Sequence, residues 1–293
     1  YDLDAVSARD LEATLRDIRD SKTEFRLERV GMDLTKGGFF SGVLRLESAP
    51  LHTIFGGGGG ISSTGTSCTT DLPGLFAAGD VYHSKAVGAG YPAFGFGLRN
   101  ASVTGARAGR AAAQFALGIT KLPRADEQTV TRQRQAVYAP TDRVGGFGPD
   151  WLEQQLYNLM VPYYILLVKR GDRLAAALTM VEFLKSHIVP RLVAKDAHQL
   201  RLAHETKNRV TSIEMMLRSS LFRNESRGIH YREDFPSRSE PDWFAHVSVK
   251  ESDMAMHLSR EPLPKTWWPD LSKPYRERYP RKYPGEGSGG HVC

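Results

Sequence analysis

The chain has 293 residues, 41% hydrophobic, 25% charged and 10% aromatic, enough for one large domain or two modest ones with a real core. Thirty-nine basic against 33 acidic residues leave a net charge of +6, too small and too local a surplus to argue for nucleic-acid binding. No apolar run reaches the ~18 residues that a membrane span needs, and two cysteines, Cys68 and Cys293, are too few for a disulfide framework, a zinc knuckle or an iron–sulfur cluster. So sparing a use of cysteine suits a reducing compartment, and the expected location is the cytoplasm.

The chain opens on Tyr1 inside ordinary folded sequence, with no basic and apolar leader to read. The expectation is a processed chain, or one numbered from within a longer protein. Residues 7–21 predict a helix, with Ser7 and Asp10 spaced like a capping box and Leu11, Leu15 and Ile18 on one stripe. Residues 39–47 predict a strand through Val43, Leu44 and Leu46. Five consecutive glycines at 56–60 then enforce a loop.

Leu75-Phe-Ala-Ala78 is short and apolar throughout, and it is bounded by Pro73-Gly74 and Gly79-Asp80, which predicts a buried parallel strand. A second glycine-rich loop, 88–97, leads into a helix of small residues over 98–117. Its Gly-Ala-Gly-Tyr-Pro-Ala segment is not a dinucleotide fingerprint, because Pro92 and the Phe-Gly-Phe-Gly that follows keep it in a loop. Farther on, Asp150, Asp172 and Asp196 are placed to cap three helices over 151–169, 173–189 and 197–222. Val210, Ile213, Leu217 and Leu221 give the last of these an apolar stripe. After Arg260 the chain turns Pro-, Tyr- and Arg-rich, which cannot build its own core. The two readings are an extended tail wrapped on the body, and an arm that grips a partner with Trp267 and Trp268.

Several residues invite chemistry. In a parallel sheet, ligands sit beyond the carboxyl ends of the strands, so Asp80 after Gly79 is placed to accept hydrogen bonds from a polyol or ribose-like group. The glycines before the helix that starts near Leu98 expose N–H groups suited to an anion or an electron-rich ring edge. His52 could donate a hydrogen bond or exchange a proton near neutral pH, or could merely hold a loop. His198 and His204 are six apart on a helix and face different ways, so no metal pair is expected. The charged block 223–236, with Glu225, Arg227 and Asp234 able to pair among themselves, reads as a buried polar staple joining the helices to the ligand domain.

Three of these motifs stand in register: His52-Thr-Ile-Phe-Gly-Gly57, Leu75-Phe-Ala-Ala-Gly-Asp80, and Arg223-Asn-Glu-Ser-Arg-Gly-Ile-His-Tyr-Arg-Glu-Asp-Phe-Pro236. Together they resemble the flavoprotein subunits of the succinate dehydrogenase, fumarate reductase, L-aspartate oxidase and adenylylsulfate reductase superfamily, over about residues 40 to 250. The last block and the 196–209 segment are most similar to the adenylylsulfate reductase branch.

The resemblance implies an α/β plus α fold, the C-terminal part of a glutathione-reductase-like FAD-binding domain followed by a three-helix bundle and an extended tail. The implied boundaries are 1–50 for the end of a capping region, 51–120 for the FAD-binding part, 121–149 for a linker, 150–250 for the helical domain and 251–293 for the tail. It implies FAD as cofactor, with Asp80 on the ribityl chain and the loop Gly90, Tyr91, Pro92, Ala93, Gly97 and Leu98 along the isoalloxazine ring. Gly57 and Gly79 would border the same site, and His52 would meet the substrate beside the flavin. The implied reaction is dehydrogenation or reduction by hydride transfer at flavin N5.

Two departures shape the expectation. Tyr91-Pro-Ala-Phe-Gly stands where the dicarboxylate enzymes carry an Asn-Arg-Leu-Gly segment, which points to a larger or less charged substrate than succinate. The strand–GxGxxG–helix unit that holds the ADP part of FAD is not in this chain. The expected partner is therefore an N-terminal FAD-binding flavoprotein chain in a heteromer, alongside an electron-transfer partner and a small-molecule substrate, with no nucleic acid and no membrane span. A non-catalytic scaffold or electron-transfer docking subunit is the alternative.

Overall fold

The structure, a computed structural model, describes residues 59–63, 65–82, 96–121, 124–253, 255–280 and 282–286, all within one compact unit, Phe55–Cys293. The helix expected over 7–21 and the strand expected over 39–47 lie outside these residues.

Residues 59–63 and 65–78 are coil and turns apart from one isolated bridge. Thr69 and Phe76 form an isolated antiparallel bridge, and Ala77 N–H donates to Cys68 O at 3.0 Å. The 75–78 segment is thus not a parallel strand among the described residues. Such a strand needs hydrogen-bonded neighbours and cover on both faces, whereas here the adjoining arm at 68–70 is its partner and Leu75 is exposed. A 3-10 turn, Gly79–Tyr82, follows.

Helix α1, Phe96–Leu117, begins two residues before the expected start, so Gly97 lies in its first turn rather than in the loop. The first-turn N–H groups have no intrahelical partner in any case, which makes a glycine tolerable there. Its buried positions are Asn100, Thr104 and Ala108, one per turn, while Leu98, Val103 and Leu117 face outward. Helix α1 thus buries two polar residues and one alanine, while its exposed surface mixes those apolar side chains with Arg99, Arg107 and Arg110.

The stretch read as linker contains α2, Glu127–Asp142, capped by Asp126, whose carboxylate accepts from Thr129 N–H at 2.8 Å. Helix α2 was hard to foresee because it buries only Pro140. It is tied to later elements by polar contacts, with Ala194 N–H donating to Pro140 O at 2.8 Å and the His204 ring bonding Val137 O at 2.8 Å.

The helical core is built from α3 (Pro149–Met160), α4 (Tyr163–Leu166), α5 (Gly171–Phe183) and α6 (Ala197–Phe222). The first expected helix, 151–169, is cut short. Pro162 carries no N–H to continue the ladder, so the chain restarts in the single turn of α4 and leaves as strand β1, Val168–Lys169. The second helix runs through a π-turn at Leu184–Ile188 and a 3-10 turn at Val189–Arg191, where Pro190 ends the ladder. Leu152, Leu156 and Met160 meet Leu174, Ala177, Val181, Leu184 and Ile188, and α6 closes the core with Ala203, Val210 and Leu217. Of the three expected caps only Asp196 acts as one, accepting from Gln199 N–H at 2.8 Å. Asp150 and Asp172 sit two residues past the cap positions Gly148 and Arg170, inside the first turns of α3 and α5.

β1 pairs in parallel with β2, Tyr231–Arg232, and β3 (Ala245–Ser252) pairs antiparallel with β4 (Ala255–Pro262). The expected tail boundary at 251 therefore falls inside a hairpin. Beyond it the chain wraps back on the body. Trp268 lies 5.0 Å from Phe244, and the tyrosines around the short helix α7, Tyr275–Arg278, pack on arginines. Trp267 is exposed, so of the two tryptophans one anchors the tail to its own chain.

Thr206 Oγ1 is buried in this core without a hydrogen-bond partner. Leu174→Ala is expected to cost about 2–5 kcal/mol through the cavity it leaves. Thr206→Val, which keeps the shape and removes an unpaired hydroxyl, is expected to be neutral or stabilising by about 1 kcal/mol. Urea unfolding of both variants tests the pair.

Candidate functional site

Of the residues expected to face a ligand, His52, Gly57, Gly90, Tyr91, Pro92 and Ala93 lie outside the described residues. Gly79, Asp80, Gly97 and Leu98 are described: the turn that carries Gly79 and Asp80 packs on α1, whose first turn carries Gly97 and Leu98. Gly79 is buried at φ +67°, a backbone conformation that costs an L side chain about 1–2 kcal/mol. A Cβ there would stand 3.6 Å from Ala101 Cβ, so the turn lies against α1 one helical turn from its start. Thr104 Oγ1 accepts from Gly79 N–H at 2.8 Å, and Asn100 Nδ2 donates to Gly79 O at 3.1 Å. Asp80 follows directly and is exposed, as is Leu98 on the first turn of α1. A carboxylate and a helix N-terminus are thereby held on one small frame.

Neither Asn100 nor Thr104 stands out in the sequence. The available signal is a polar pair spaced four apart in a helix of alanines and glycines, which reads equally well as a solvated face. Among the described residues no cluster of three or more His, Cys, Asp or Glu is placed to hold a metal, and no helix is long and apolar enough to cross a membrane.

The charged block is buried and paired, as expected of a staple, but the pairing differs. Glu225 is fully buried, taking Arg223 Nη1 at 2.5 Å, Arg227 Nε at 2.8 Å and Ser239 N–H at 3.0 Å. Asp234 joins neither Glu225 nor Arg227. It takes a bidentate contact from Arg232 at 2.8 and 2.7 Å, and it accepts Gly171 N–H, the first amide of α5, at 2.9 Å. Burial raises the Asp234 carboxyl, but the bonds from Arg232 and Gly171 outweigh it and hold the group below its ordinary range. Arg232 Nη1 also donates to Ser220 O at 2.8 Å, at the last turn of α6. The block thus staples helix ends and the tail to one another. Among the described residues its contacts include α5, α6, the loop after β2 and the tail.

Beside it stand Lys169 and His230. Burial pushes the Lys169 ammonium down to about 8, with the Arg232 charge adding to it. Burial, and after it the Lys169 charge, push the His230 imidazole down to about 3. Its Nε2 faces Arg223 O at 3.3 Å, so Nε2 carries the proton of a neutral ring.

Residues 153–279 match the family model described as the fumarate reductase flavoprotein C-terminus. The fold is that of flavoprotein subunits: adenylylsulfate reductase from Archaeoglobus fulgidus superposes with a TM-score of 0.56 at 26% identity, over 67% of this chain and 33% of that one. A CoM/CoB fumarate reductase subunit from Methanothermobacter marburgensis is 30% identical over 68% of this chain and 35% of its own length. An uncharacterised FAD-dependent oxidoreductase of Methanocaldococcus jannaschii is 27% identical over 77% of this chain and 39% of its own. The chain is similar to the C-terminal part of the fumarate reductase, L-aspartate oxidase and adenylylsulfate reductase flavoproteins. It spans between a third and two-fifths of the length of these two curated relatives.

Two outcomes follow from the staple. Glu225→Gln leaves Arg223 and Arg227 without their shared counter-charge, and a loss of about 3–5 kcal/mol is expected in denaturant unfolding. For His230, an unfolded chain takes up a proton near ~6.5, whereas the folded one refuses it down to about 3. Stability is therefore unaffected above neutral pH and falls as the pH drops through that window, by up to about 2 kcal/mol at pH ~5. Urea midpoints measured across this range should flatten in His230→Gln.

Proposed function

We propose that this chain supplies the flavin-facing C-terminal part of an FAD-dependent oxidoreductase, completed by an N-terminal FAD-binding half. The observation that carries the reading is the Gly79–Asp80 turn fixed against the first turns of α1. The residues fit the group. An exposed carboxylate at Asp80 suits the hydroxyls of a ribityl chain, and the N-terminal amides of α1 suit the electron-rich edge of a flavin. Bound FAD would supply hydride acceptance and donation.

Around that frame, Gly57, Gly79, Gly90, Tyr91, Pro92, Ala93, Gly97 and Leu98 would border the cofactor and Asp80 would orient it. His52 would bind or protonate the substrate as the catalytic residue of this chain. Tyr91-Pro-Ala in place of an arginine-bearing segment favours a larger or less charged substrate than a dicarboxylate. We assign 51–120 to the FAD-binding domain and 150–250 to a helical domain, within a cytoplasmic heteromer that hands electrons to a further partner.

The test is co-purification with the N-terminal half. The complex should absorb near ~450 nm as oxidised flavin does, and Asp80→Ala should lower its flavin content roughly tenfold or more. A colourless complex sinks the reading. If both Asp80→Ala and His52→Ala leave flavin content and turnover untouched, a scaffold or docking role is the better account.

A further inference from the structure

We propose that Asn100 and Thr104 are positioning residues for the Asp80 carboxylate, clamping the Gly79 peptide groups to α1 so that carboxylate and helix N-terminus form one rigid frame for the flavin. The proposal deepens the FAD reading above and rests on it.

The clamp acts on both sides of one residue. Thr104 Oγ1 accepts the Gly79 N–H at 2.8 Å and fixes the incoming peptide. Asn100 Nδ2 donates to Gly79 O at 3.1 Å, and that carbonyl belongs to the peptide bond that carries the Asp80 nitrogen. The Thr104 hydroxyl in turn donates to Asn100 O at 2.5 Å, which spends its only proton and turns a lone pair toward the Gly79 amide. The three bonds form a short directional chain, closed and buried.

Geometry leaves little slack around it. Gly79 is held at φ +67°, and a Cβ added there would already touch Ala101 of α1, so the turn cannot slide along the helix without losing its bonds to Asn100 and Thr104. Nor does hydrophobic packing account for the pair. Asn100 and Thr104 take two of the three buried positions of α1, while Leu98, Val103 and Leu117 of the same helix are exposed. Burying an amide and a hydroxyl there is costly unless each bond is made, and both are spent on Gly79.

The experiment uses the complete flavoprotein, with this chain joined by its N-terminal half, and measures FAD dissociation constants by flavin fluorescence. The variants are Asp80→Asn, Thr104→Val, Asn100→Leu and the double variant Asp80→Asn/Thr104→Val. A hydrogen bond to a charged group sets the expected loss for Asp80→Asn at about tenfold to a hundredfold, with a comparable loss for each clamp variant. The decisive result is the double variant, which should bind FAD no more weakly than Asp80→Asn alone, because a clamp that works through Asp80 has nothing left to position. Thr104→Ser, which keeps the hydroxyl, should restore affinity.

Native affinity in Thr104→Val and Asn100→Leu overturns the proposal, and so does a double variant whose losses simply multiply, since that is the signature of a merely structural role. Should Thr104→Val fail to fold, the same cycle on Asn100→Leu decides. Unchanged affinity in Asp80→Asn is a different failure, because it removes the assignment of Asp80 to FAD itself.

Discussion

Two helix ends meet at one ion pair, and the arrangement of the helical region depends on it. The last carbonyls of α6 and the first amides of α5 lack intrahelical partners. Arg232 donates to Ser220 O at the one, and Asp234 accepts Gly171 N–H at the other. The two side chains then bind each other in a bidentate pair. Each charge sits at the helix end whose dipole favours it, a cation at a C-terminus and an anion at an N-terminus. Buried pairs of this kind add modest net stability, but they permit very few geometries. The apolar core packs α3, α5 and α6 together, and the Arg232–Asp234 pair ties the start of α5 to the end of α6. Glu225 extends the same logic outward by gathering Arg223, Arg227 and the Ser239 amide, from which Arg238 and Glu286 tie down the tail.

Much of the helical region was legible because its signals are local or periodic. Helix α6 announces itself by a stripe at 3.6 spacing and by Asp196 with Gln199, and the structure ends it at Phe222, where the pattern stops. Other features failed for equally local reasons. Pro162 lies inside an apolar run that otherwise reads as helix, yet the missing N–H ends α3 and frees Val168 and Lys169 to pair with residues more than sixty positions on. The capping of α5 comes from Asp234, not from Asp172, and no spacing rule links residues so far apart. Helix α2 is amphipathic to almost nothing, so a reading that looks for an apolar stripe passes over it.

The candidate site divides along the same line. Gly79 and Asp80 stood out because a glycine and a carboxylate after a short apolar run form a recognisable turn. Asn100 and Thr104 did not, because their role exists only once residues 21 and 25 positions apart are brought into contact. The 75–78 segment shows the complementary error. Its composition suits a buried parallel strand, but composition cannot supply the neighbouring strands, and among the described residues it pairs only across its own turn.

The polar pair of α1 also bears on how a site is held in general. A helix that binds a neighbour through leucines gains stability in proportion to area, without preference for a particular angle. Four residues in a 3-10 turn bury too little apolar surface to be fixed in that way. A ligand-facing carboxylate nevertheless has to be held to within about half an ångström to be useful. Directional bonds meet that demand, and they work best where water cannot compete for them, which is why Asn100 and Thr104 are turned inward against Gly79.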